Sequence, residues 1–204
     1  MTPPRKTTRK GWGKQRSRPS RSYRKLIIIA AEGTVTEPQY FDMFNDQQTT
    51  VRIEHVKAST ASAPANVLKR ARAKLAKESL NKHDRIWLVV DRDDWPEAQL
   101  KECLKWVNEH PEQRGLALSN PCFELWLLLH LDDAAGRSTH AQIRQALKNH
   151  LPNYNKTIDS TKFSKQTVLN AIDRAKQRDT PPTKDWPQTV GSTVYRIIGQ
   201  IQAT

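Results

Sequence analysis

The stretch KLIIIAAEGTVTEPQYF, residues 25–41, decides the fold. Leu26 to Ala31 is a short apolar run rich in Ile, the pattern of a buried strand. It leads straight into Glu32 and Gly33. An acid at the end of a buried strand is unfavourable unless something there needs a charge. Beyond it, Thr36 followed by Glu37-Pro38 reads as a helix start, with Thr36 as N-cap and the proline in the first turn. Tyr40, Phe41 and Phe44 supply that helix with an apolar face.

A second stretch, RIWLVVDRDDW at residues 85–95, repeats the arrangement: an apolar run that ends in Asp91, Asp93 and Asp94. Between the two, TTVRIEHVKA alternates as a half-buried strand does. APANVLKRARAKLAKESL places Ala65, Leu68, Ala71 and Leu75 at helical spacing over a basic face. Pro96 to Asn108 predicts a helix, GLALS a short strand, and CFELWLLLHL a helix apolar nearly all round and therefore buried. Strands alternating with helices argue for an α/β layer with a mostly parallel, Rossmann-like sheet flanked by helices. After Leu131 the pattern turns helical, in THAQIRQALKNHL, STKFSKQTVLNAIDRAKQ and GSTVYRIIGQI. The organisation expected is a basic disordered tail over 1–24, an α/β core over 25–135 and a helical C-terminal extension over 136–204.

In a parallel sheet, ligands gather beyond the carboxyl ends of the strands. Glu32 and Asp91 both belong on that edge. If the chain stays extended past Val90, Asp91 and Asp93 project to one side and Arg92 and Asp94 to the other. One Glu and two Asp side chains on a concave edge suit a hard cation such as Mg²⁺ or Mn²⁺. Gly33 lets the backbone turn there without a Cβ crowding the ion or a phosphate. Arg92 fits either a scissile phosphate or a pairing with Asp94.

The 204 residues carry a formal net charge of +13. Ten basic residues, among them Arg16, Arg18, Arg21, Arg24 and Lys25, fall within residues 1–25, where there is no Asp or Glu; removing those ten leaves +3 for the rest. A basic tail favours nucleic acid through counterion release, and Trp12 and Tyr23 add surfaces for base stacking. Two cysteines, Cys103 and Cys122, exclude a Cys-rich zinc site and a disulfide framework, and read as reduced core residues. LIIIAA is too short for the apolar region of a signal peptide, and LWLLLHL is far short of the ~20 residues of a membrane span. A cytoplasmic protein without membrane contact is expected.

A strand ending in Glu-Gly and a later strand ending in Asp-x-Asp resemble the Toprim fold of topoisomerases, bacterial primases and overcoming-lysogeny-defect nucleases. EGTVTEPQYF, VVDRDDW and SNPCFELWLLLH further resemble the RloB family, named for open reading frames linked to bacterial restriction–modification loci. That resemblance covers about residues 26–131. It implies a metal-dependent nuclease-like site, with Glu32 as general base, general acid or metal ligand and Asp91 and Asp93 as the metal-binding pair. Glu124 reads equally as a further ligand or as a first-turn acid answering the helix dipole. His130 lies off its face and reads as a hydrogen-bonded core histidine. Ser119 and Asn120 read as caps of the helix after Pro121, and Trp126 as core. NYNKTIDSTKF resembles a Tyr-x-Lys segment of the family, which makes Lys156 a candidate to stabilise the transition state; it reads equally as a solvated loop lysine. In WPQTVGSTVYRII, Trp186 stands where the family has Asn, which leaves Pro187 and Thr189 without an assigned role.

Two functions compete. The first is a phosphodiesterase acting on RNA or DNA in anti-phage defence, paired with an ATPase of the RloA kind; both the defence role and the partner come from the resemblance alone. The second is a non-catalytic nucleic-acid-binding or ATPase-partner module in which the acids hold a structural metal. A topoisomerase needs a tyrosine nucleophile in a further domain, for which ~70 residues leave little room. A primase would bring a zinc module, and a phosphatase or receiver domain would carry Asp after its first strand.

Overall fold

The computed structural model describes residues 24–45, 50–58 and 63–202. Five strands form one sheet in the order β2-β1-β3-β4-β5. β1 (Lys25–Ala31), β2 (Val51–His55), β3 (Arg85–Asp91) and β4 (Arg114–Asn120) run parallel. β5 (Gly191–Ser192) pairs antiparallel with β4. The predicted α/β architecture is therefore present, and the edge strand arises from GSTVYRIIGQI, a stretch expected to be helical throughout. There the helix α7 (Tyr195–Gln202) begins only after β5.

Alternate side chains of each strand feed two cores. Ile27, Ile29, Ala31, Trp87, Val89 and Ala117 face α1 (Thr36–Asp42), α4 (Phe123–Leu131), α5 (His140–His150), α6 (Lys165–Arg178) and α7. Ile28, Ala30, Ile86, Leu88, Val90, Leu116 and Leu118 face α2 (Pro64–Leu75) and α3 (Glu97–Glu109). This two-sided burial is why the strands read as continuous apolar runs rather than alternating ones. The C-terminal helices pack into the same core as α1 and α4. Between α5 and α6, the stretch expected as one helix is a 3₁₀ turn (Ser160–Lys162) followed by α6, which Ser164 caps through its side chain.

α4 is buried from Phe123 through His130. His130 Nδ1 donates to the Trp126 carbonyl at 2.9 Å, which leaves Nε2 to accept from the Tyr40 hydroxyl at 3.1 Å. It is thus the hydrogen-bonded core histidine the sequence predicts, and burial holds its pKa down to about 4. Tyr40 sits among Phe41, Phe44, Phe123, Trp126 and Phe163 in edge-to-face contacts, the arrangement aromatic quadrupoles favour. Ser119 and Asn120 do not cap α4. The Ser119 hydroxyl meets that of Ser192 at 2.9 Å, and Asn120 donates to the Pro187 carbonyl at 3.1 Å, so both fasten the β5 segment. Cys103 and Cys122 are free and buried, as expected of reduced core thiols.

Strand order locates the site. β1 is followed through α1 by β2 on one side, and β3 then lies on its other side. The connections leaving β1 and β3 part toward opposite faces of the sheet, and this topological switch opens a crevice at their carboxyl ends. No helix among the described residues is long and apolar enough to cross a membrane.

Candidate functional site

A cavity of about 230 Å³ occupies that crevice, bordered by Glu32, Gly33, Glu37, Asp91, Asp93, Glu124, Arg144 and Lys156, among others. Its acids arrive from separate elements. Glu32 continues β1: its backbone N–H donates to the Val89 carbonyl at 3.0 Å, and its Oε2 accepts from the Asp91 N–H at 3.2 Å. Arg70 reaches from α2 to the Ala31 carbonyl at 2.7 Å and pins the end of β1 from the opposite face. Asp91 closes β3, and Glu124 stands in the first turn of α4.

Asp93 departs from the extended path expected of it. β3 stops at Asp91, and Asp93 adopts φ +36°, a left-handed conformation that aspartate tolerates better than most residues. Its N–H donates to the Pro121 carbonyl at 3.3 Å, and its carboxylate meets His140 Nε2 at 2.8 Å. Arg92 resolves both of its readings differently. Its guanidinium donates to the carbonyls of Asp93 and Trp95, at 3.3 and 2.9 Å, and so ties its own turn together.

Glu37 is the acid that sequence reasoning missed. Its local sequence marks only a helix start, yet it is 6% exposed and borders the cavity. Its Oε1 accepts from the Gly33 N–H at 3.0 Å. A Cβ at position 33 would fall onto that carboxylate, so the glycine makes room for Glu37 rather than for an ion or phosphate directly. The retrievable signal was the spacing: a Glu one helical turn beyond a strand-terminal Gly. Thr36, expected as N-cap, is instead the first helical residue, with Val35 at the cap position. The Thr36 hydroxyl donates to the Lys156 carbonyl at 2.8 Å. Lys156 has φ +63°, and this bond holds its loop against α1.

The electrostatics follow from burial. Glu32 and Glu124 are 9% and 7% exposed. Loss of solvent raises the Glu32 pKa to about 7, with the charges of Asp93 and Glu37 adding to the rise. Burial, then Glu37, Glu32 and Glu124, push Asp91 well above the ordinary carboxylate range. Burial, and the charge of Glu124, likewise raise Glu37, against the pull of the Gly33 N–H and of Lys156. The cations that border the cavity come from the C-terminal half: Arg144 meets Glu124 at 3.3 Å, and Lys156 lines the cavity wall. No local pattern pointed to Arg144 or His140, because their partners lie 20 and 47 positions away.

The sequence-predicted set therefore divides. Glu32, Asp91, Asp93, Glu124 and Lys156 come together around one cavity. Arg24 and Lys25 sit at the opposite, amino end of β1, where they donate to the carbonyls of Val51 and Gln200. Arg16, Arg18 and Arg21 lie outside the described residues.

The described residues contain no three His, Cys, Asp or Glu side chains grouped closely enough to hold an ion by themselves. The donor set nevertheless fits a hard divalent cation in kind. Its members are carboxylate oxygens, with Glu32, Glu37 and Glu124 buried and Asp91 and Asp93 half-buried, and Mg²⁺ keeps waters and substrate oxygens in its shell rather than demanding an all-protein cage.

A family model described as RloB-like protein matches residues 27–201. The chain belongs to the RloB-like family. The matched span takes in every element from β1 to α7, so the family's unit includes β5 and the C-terminal helices as well as the acidic crevice. Comparison with curated proteins and with solved structures gives no match.

Proposed function

We propose that this RloB-like protein is a Mg²⁺- or Mn²⁺-dependent phosphodiesterase acting on nucleic acid. The observation that carries the reading is the switch-point cavity, where Glu32, Glu37, Asp91, Asp93 and Glu124 outnumber the bordering cations Arg144 and Lys156. Such an excess of buried negative charge repels a phosphodiester unless a cation intervenes. The Toprim-like placement of Glu32 and Asp91 on neighbouring strands supports the same chemistry, and the link of RloB-type genes to restriction–modification loci supports a defence role beside an ATPase of the RloA kind.

In this reading Asp91 and Glu37, with Asp93 and Glu124 at the rim, hold the ion. When bound, it lowers the pKa of a water and offsets charge on the phosphoryl group. Glu32, held above the ordinary carboxylate range by burial in the metal-free chain, takes a proton from the attacking water once the charge of the neighbouring ion favours its ionised form. Lys156 and Arg144 face the phosphate and stabilise the charge that grows on it.

The test is cleavage of tRNA, single-stranded RNA, and single- and double-stranded DNA in Mg²⁺ or Mn²⁺, with Glu32→Gln as control. Cleavage that disappears in the variant and with EDTA is the expected outcome. Ion binding without cleavage, even after an RloA-type ATPase is added, would replace the enzyme with the binding-module reading.

A further inference from the structure

We propose that the outer face of α5 is a rail that guides a single nucleic-acid strand into the acidic cavity; this rests on the nuclease reading above and names the substrate's path. His140, Arg144 and Lys148 are spaced four residues apart on α5, so they share one face and rise about 6 Å per step along the axis, the scale of one nucleotide. The inner two are anchored to the site itself. His140 meets Asp93 at 2.8 Å and Arg144 meets Glu124 at 3.3 Å. Lys148 is exposed and forms the outer end.

A second cavity, of about 340 Å³, runs along this face, lined by Glu124, Arg144, Gln145, Lys148, Tyr154 and Lys156, among others. It shares Glu124, Arg144 and Lys156 with the acidic cavity, so the two adjoin across the Arg144–Glu124 pair. Its chemistry changes along the way, from carboxylates inside to Arg, Lys, Gln and Asn donors outside. Such donors hold phosphates without reading sequence. The amino end of α5, capped by a Thr139–Gln142 box, lies at Asp93, so the helix dipole also favours anions toward the site.

Tyr154 closes the inner wall of this groove, where it is 7% exposed. Burial, then the charge of Glu124, pushes its pKa up against the pull of a hydrogen bond with the Thr36 side chain, so the hydroxyl stays protonated. A single strand is favoured over a duplex by size. The inner cavity, at about 230 Å³, is smaller than the ~300–1,000 Å³ of ordinary ligand pockets and has no room for paired bases.

Placement of the strand is tested by cross-linking on the full chain. Lys148→Cys, on the rail, and Lys105→Cys, on α3 across the sheet, are each combined with Glu32→Gln to prevent cleavage, labelled with a thiol-reactive photo-cross-linker and mixed with single-stranded RNA or DNA in Mg²⁺. The native thiols do not compete, because burial pushes Cys103 up to about 12 and Cys122 higher still. The expected result is several-fold more cross-linked strand from position 148 than from position 105, reduced by unlabelled single strand more than by duplex. Equal yields at both positions, with oligonucleotide bound, would overturn the rail while leaving the nuclease reading intact. Competition by duplex as strong as by single strand would overturn the choice of substrate. Absence of any binding would overturn the rail and the nuclease reading together.

Discussion

Neutralising Glu32 should stabilise this protein when no metal is present, and only above a defined pH. The folded chain holds the Glu32 carboxyl at about 7 against an ordinary 4.5, chiefly through burial. An acid raised on folding means that the native state binds more protons than the unfolded chain between those two values. Stability therefore falls as pH rises through that window and levels off above about 7. At ~1.4 kcal/mol per pH unit, the full effect is about 3 kcal/mol, and solvent at the cavity mouth reduces it to ~2 kcal/mol. Gln keeps an oxygen to accept from the Asp91 N–H and removes the charge that helps raise Asp91, an effect of the same sign. Thermal melts of wild type and Glu32→Gln in EDTA should coincide near pH 4.5. At about pH 8 the variant should melt higher by ~4–8 °C, taking ~2–4 °C per kcal/mol for a chain of this size. Excess Mg²⁺ should then raise the wild-type melting temperature at that pH more than the variant's, since ligand binding to the native state adds stability. If the two proteins melt together at about pH 8 in EDTA, the Glu32 carboxylate is neither desolvated nor repelled in the cavity, and the case for a cation among these acids fails with it.

Other perturbations follow from particular contacts. Gly33→Ala drives a Cβ onto the Glu37 carboxylate, so the variant should lose ~1–3 kcal/mol, typical of overpacking; Mg²⁺ titration calorimetry should show weaker binding, and unchanged affinity would remove Glu37 from the site. Tyr40→Phe leaves His130 Nε2 buried without its partner; urea unfolding should show a loss of ~1–2 kcal/mol at unaltered m-value. Thr193→Val takes from the Leu118 N–H the hydroxyl it donates to at 2.9 Å, in a fully buried position. A loss of ~1–3 kcal/mol is expected, together with faster hydrogen exchange at β5 if that strand is held as described.

The strands and the acids were legible in the sequence because their signals are local. A strand buried on both faces must be apolar throughout, so Leu26–Ala31 and Ile86–Val90 could be recognised without knowing their neighbours. Glu32 and Asp91 stood out because charge placed directly after such runs is unfavourable without a purpose. The buried α4 was equally plain, since Glu124 and His130 are its only polar residues and no polar face forms.

Only the tertiary structure decided what surrounds those acids. The order β2-β1-β3 brings Glu32 beside Asp91. The turn after β3 sends Asp93 to His140. The fold of the C-terminal half delivers Arg144 and Lys156 from more than a hundred residues after Glu32. A pairing between distant segments leaves no periodicity along the chain, because it is selected by packing against a shared core rather than by local conformation. Gly191–Ser192 makes the same point. Two residues carry almost no strand propensity of their own, and they become a strand because β4 offers an open edge and Thr193, Ser192 and Asn120 hold them to it.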